Sequence, residues 1–143
     1  MGQRKYRTAE KRRRAAVVFD RQVHSVWDRF GQECRQFAEG FNGEIGSHQL
    51  HVESNPDAVA VTFAVGGEVI VQLDRTQRHI ACWMRSRCTE FGSCIVEQPP
   101  VGLTIERGHL RFVYGASVIA EDDLAVRLLT DLIRLETPVA RTS

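Results

Sequence analysis

Between Phe19 and Phe41 the side chains Phe19, Val23, Trp27, Phe30, Cys34, Phe37 and Phe41 recur at spacings of 4, 4, 3, 4, 3 and 4. Only a helix of period near 3.6 gathers such a series onto one side. Arg21, Asp28, Arg29, Glu33, Arg35 and Glu39 fall mostly off that stripe, and Gly43 follows it as a natural cap. The spacing predicts a helix over residues 17–41, about 37 Å long. A 4-3 rhythm also suits a coiled coil, but this seam holds aromatic rings in place of alternating β-branched residues and leucine. The broad face of a sheet suits those rings better, with a helix-mediated dimer as the alternative.

After Gly46 the apolar period drops to two. Strands are predicted over residues 48–53, 58–65, 69–74, 79–85, 91–97, 103–106 and 109–114. Asn55-Pro56-Asp57, Gly66-Gly67 and Arg107-Gly108 are turn signals, and Pro99-Pro100 interrupts any strand. Residues 58–65 are apolar on both sides, which predicts a strand covered on both faces. Leu124, Leu128, Leu132 and Leu135 then mark a second helix, opened by Glu121, Asp122 and Asp123 and ended by Pro138. The expected class is α+β: a long N-terminal helix and a C-terminal helix packed on one face of a curved antiparallel meander of about seven strands.

The chain has 143 residues, 43% of them hydrophobic and 26% charged, which suits one domain with a real core. No apolar run approaches the ~20 residues of a membrane span, and no membrane span is expected. The net charge of +1 conceals a division. Residues 1–16 carry Arg4, Lys5, Arg7, Lys11, Arg12, Arg13 and Arg14 against Glu10, a net +6. The other 127 residues hold 12 basic and 17 acidic groups, a net −5. The expected organisation is a basic flexible arm over 1–16 (disordered, or a frayed helical extension), a single α+β domain over 17–137 and a loose tail over 138–143. Free thiols at Cys34, Cys82, Cys88 and Cys94, in a cytoplasmic protein, complete the expectation.

Motifs with a defined chemistry are absent. His79, Cys82, Cys88 and Cys94 have ligand-type side chains, but their spacing is wrong for a zinc knuckle, and His79 and Cys82 fall on opposite strand faces. Arg85 and Arg87 flank Cys88, expected in a connection, where positive charge would favour a thiolate. No cofactor, metal site or catalytic group is expected, and the balance lies against an enzyme. The leading functional expectation is a protein-interaction domain, self-associating as a homodimer or larger assembly.

A second expectation is nucleic-acid binding led by the seven basic residues of the arm, helped by Arg75, Arg78, Arg85 and Arg87 near hairpin turns. A third is a small-molecule pocket between sheet and long helix. Its apolar wall would be Trp27, Phe30 and Phe37, faced by Trp83 or Tyr114, with His109, Arg111, Asp74 or Glu106 as polar anchors.

Overall fold

The computed structural model describes residues 2–89, 92–96 and 98–136, with side chains described over 7–86, 95–96 and 98–135. Its elements run α1 (Gly2–Ile45), β1 (Leu50–Ser54), β2 (Ala58–Phe63), β3 (Glu68–Asp74), β4 (His79–Thr89), β5 (Gly92–Val96), β6 (Val101–Glu106), β7 (His109–Tyr114), β8 (Ser117–Ile119) and α2 (Glu121–Glu136). The α+β class is as expected. Eight strands replace about seven, divided into an antiparallel β1-β2-β3-β4-β5 sheet and an antiparallel β6-β7-β8 sheet. The prolines at 99 and 100 fall where the two separate, and β6 lies against β4 across the break.

Helix α1 starts 15 residues earlier than the apolar stripe required, so the basic segment is a helical extension. Its Arg, Lys, Ala and Glu residues are strong helix formers. The helix passes Gly43 and ends at Gly46, whose φ of +75° provides the left-handed cap. Its 44 residues span about 66 Å, far more than a five-stranded sheet.

The aromatic stripe is the core seam. Phe19, Val23, Trp27, Phe30 and Cys34 are all buried, as is Ala38, whereas Phe37 and Phe41 are only half-buried against the core. Phe30 is fully enclosed, its ring centroid 5.9 Å from Trp27 and 5.2 Å from Phe112. Opposite them stand Val59, Val61 and Phe63 of β2, Val69, Val71 and Leu73 of β3, and Ile80 and Met84 of β4. Helix α2 adds Leu124, Leu128, Leu129 and Leu132, packing on α1 and on β2, β3, β4 and β7. Both helices therefore share one face of the sheets.

Three side chains of α1 tie it to the strands through hydrogen bonds. Asn42 donates from Nδ2 to the Leu50 carbonyl (2.9 Å), and its Oδ1 accepts from the Gln49 and Leu50 N–H groups, both at 2.9 Å. Gln22 donates to the Gly108 carbonyl and accepts from the Leu110 N–H, each at 2.8 Å. Trp27 donates its indole N–H to the Asn55 carbonyl at 3.0 Å, while the Asn55 side chain accepts from the Asp57 and Ala58 N–H groups to form the β1–β2 turn. Gly31 permits close approach here, because a Cβ on it would meet Ser54 Cβ at 3.3 Å.

The other face of the five-stranded sheet is only partly enclosed. Strand β2 is expected to be covered on both sides; on its outer side Ala58 and Ala60 are half-buried and Thr62 is exposed. The tail expected at 138–143 lies outside the described residues.

Candidate functional site

The outer face is set by strand register. Alternation turns His51, Glu53, Ala58, Ala60, Thr62, Glu68, Ile70, Gln72, Asp74, His79, Ala81, Trp83, Arg85 and Ile95 away from the helices. Ala60 pairs with Ile70 and Ile70 with Trp83, so three apolar side chains form one row across β2, β3 and β4. The row beside it reads Thr62, Glu68, Arg85, Ile95. Glu68 accepts from Arg85 at 3.4 Å, and Ile95 is 71% exposed, the most exposed large apolar side chain among the described residues. Ala58, Gln72 and Ala81 form the row on the other side.

The expected nucleic-acid residues are scattered. Arg7, Lys11, Arg12, Arg13 and Arg14 are exposed on the α1 extension, with Arg14 paired to Glu10 at 2.9 Å. Arg4 and Lys5 belong to the same helix, and Arg87 to β4, but their side chains lie outside the described set. The remaining cations are engaged elsewhere. Arg75 donates to the Pro56 carbonyl at 2.9 Å and lies 3.7 Å from Asp57. Arg78 grips Asp20 through two nitrogens, at 3.3 and 3.2 Å, tying the β3–β4 turn to α1.

The expected pocket residues do not converge on one cavity. Trp27 and Phe30 are core, and Phe37 packs against it. Trp83 faces the opposite side of the sheet, while His109 and Arg111 point outward from β7. Glu106 pairs with His109 across β6 and β7, and Asp74 instead accepts from the Gln77 N–H in its own turn. Tyr114 is buried and donates its hydroxyl to Asp131 at 3.0 Å, with the Arg127 guanidinium 5.7 Å from its ring centroid. Burial pushes the Tyr114 phenol up to about 12, and the bond to Asp131 acts in the same direction.

A groove does exist, in a different place. Ala15, Ala16 and Phe19 of α1 face Leu103 and Ile105 of β6 and Leu110 of β7 across about 440 Å³, with Arg12 and Arg78 at the rim.

The thiols are quiet. Burial pushes Cys34 up to about 12, and Glu33 and then Cys82 add to the shift. Burial pushes Cys82 up to about 11, opposed by the Gln98 amide donating to its sulfur at 3.0 Å. Both are neutral thiols near neutral pH, which makes them poor nucleophiles. Cys88 falls within β4 and not in a connection, and its side chain lies outside the described set, as does that of Cys94. Among the described residues no cluster of three His, Cys, Asp or Glu side chains could hold a metal ion, and no helix is long and apolar enough to cross a membrane.

Sequence reasoning missed Gln22, Asn42 and Asp131, which organise the fold through partners 7 to 88 residues away. Compared with known proteins, the chain matches no family model, and neither a curated protein nor a solved structure matches it.

Proposed function

We propose that this protein is a non-enzymatic interaction domain that associates with a second copy of itself through the outer face of the β1–β5 sheet. The observation that carries this reading is the Ala60–Ile70–Trp83 row, half-buried, with the 71% exposed Ile95 beside it, on the face that alternation turns away from the helices. A solvated antiparallel face normally alternates to polar residues at such positions. Contiguous apolar surface rimmed by polar groups is instead what a contact surface presents.

The charges support a two-fold partner. A symmetric interface must be self-complementary, so acid and base have to occur within the same patch. Glu68 and Arg85 sit directly opposite each other beside the apolar row, and Asp74 faces His79 beyond it.

Sedimentation velocity from nanomolar to high micromolar concentration tests the proposal. The expected outcome is a concentration-dependent dimer that Ile70→Lys converts to a monomer with the same far-ultraviolet spectrum. A wild-type chain that stays monomeric throughout would sink it.

A further inference from the structure

We infer that the N-terminal extension of α1 is a binding element for double-stranded DNA, entering the major groove as a helix and contacting the phosphates on both walls. This does not depend on self-association, because it rests on a different part of the molecule.

The extension is helical against its own electrostatics. A helix N-terminus carries partial positive charge and is stabilised by acidic residues, yet the first turn of α1 contains none. Arg4 and Lys5 stand in that turn, and Arg7, Lys11, Arg12, Arg13 and Arg14 follow along the next nine residues. Arg7 and Lys11 stand four residues apart, a repulsive spacing. Glu10 pairs with Arg14 at 2.9 Å, but on the surface such a pair is worth little. Binding a polyanion would remove each of these penalties together.

The arrangement of charge selects the kind of polyanion. Lys11, Arg12, Arg13 and Arg14 are consecutive, so at about 100° per residue they spread over roughly 300° of the helix circumference. A flat anionic surface meets one side of a helix, whereas a groove with two charged walls meets both. B-DNA has such a groove, about 12 Å wide, which admits a helix about 10–12 Å across. The RNA duplex major groove is too deep and narrow. Membrane insertion is disfavoured, because Tyr6 is the only large apolar or aromatic side chain between residues 2 and 14.

Most of the extension is open to solvent. Residues 7–9 and 11–15 are exposed, Arg12 and Ala15 edge the groove against β6 and β7, and α1 first enters the core at Phe19. The remainder of the chain is net −5, which disfavours contact between DNA and the body. Phosphate contacts alone carry no sequence information, so the binding is expected to be sequence-tolerant.

Fluorescence anisotropy on the full chain tests this with labelled DNA and RNA duplexes of about 20 bp. Phosphatidylserine vesicles and poly-glutamate serve as competitors. The expected result is at least about tenfold tighter binding to DNA than to RNA duplex, with a log–log salt slope near −5 for about six phosphate contacts. Replacing Arg7, Lys11 and Arg13 together by Gln should reduce that slope by about 3 and weaken binding at least about tenfold at low salt. These positions are exposed, so the variant should keep the wild-type urea midpoint, which is measured alongside. Equal or tighter binding to RNA duplex, displacement of DNA by vesicles or poly-glutamate at matched charge, or an unchanged slope in the folded triple variant would overturn the inference.

Discussion

The inner and outer faces of the five-stranded sheet are written by alternate residues of the same strands, yet they differ in kind. The inner face presents Val59, Val61, Val69, Val71, Leu73, Ile80 and Met84, each buried beneath α1 and α2. The outer face interleaves charges with Ala60, Ile70, Trp83 and Ile95. The first is a core that specifies the fold, and large-to-small changes there should be costly. The second is apolar where folding alone would accept polar residues, which is the physical basis for assigning it a partner.

The largest effect is expected from breaking the inner side. Trp27 is 4% exposed, touches Phe30 and donates to the Asn55 carbonyl. Trp27→Ala should therefore lose about 3–5 kcal/mol in urea unfolding, while Trp27→Phe should lose appreciably less because most of the volume remains. A loss under about 1 kcal/mol for alanine would remove Trp27 from the core.

Next is the joint that hands the chain from α1 to the sheet. Asn42→Ala leaves three half-buried backbone groups without their partner, and thermal melting should report a loss of about 2 kcal/mol. An unchanged melting temperature would mean that water replaces the amide.

A smaller effect is expected where a polar pair closes the inner side. Tyr114→Phe removes the bond to Asp131 and should cost about 1 kcal/mol near neutral pH. The sign of the pH dependence follows from the raised values. Cys34 rises from 9.0 to about 12, Cys82 from 9.0 to about 11 and Tyr114 from 10.0 to about 12, so each favours its neutral form in the folded state. Their contributions are fully present below the unfolded values and are lost as pH climbs through the folded ones. Stability should fall from pH 9 upward, and Tyr114→Phe should fall less steeply above pH 10. A wild type equally stable up to pH 12 would contradict the burial of all three groups.

The smallest effect on folding belongs to the outer face. Measured at concentrations too low for association, Ile70→Lys should shift stability by less than about 1 kcal/mol, the range of strand propensity on an open face. A shift as large as that of Trp27→Ala would make Ile70 a core residue and erase the distinction between the faces.

Much of this architecture was legible along the chain. The 4-3 rhythm located the buried stripe of α1, period-two alternation located seven of the eight strands, and the leucine series located α2. Arg107 and Gly108, with φ of +51° and +78°, form the tight reversal that their sequence suggested. Residues 1–16 read either as disordered or as a frayed helical extension, because they have no apolar stripe to decide between the two; the helix is the one formed, in keeping with residue types that favour it. Strand β8 has three residues, too few to display a period. Prolines marked a loop without revealing that it divides the sheet in two. The polar clamps were illegible for a stronger reason: Gln22 meets Gly108 and Leu110, contacts 86 and 88 residues away that no local pattern encodes. The outer row was equally hidden, since its members align only once strand register is fixed.

The most direct measurement uses the two tryptophans, one on each side of the sheet. With Trp27→Phe in place, Trp83 is the sole indole and reports on the outer face alone. Acrylamide quenching of its fluorescence should be efficient at nanomolar protein and should weaken as concentration rises through the dimer range. Adding Ile70→Lys should restore efficient quenching at every concentration. Quenching of Trp83 that stays constant from nanomolar to high micromolar protein would contradict the assignment of this face to a second copy of the chain.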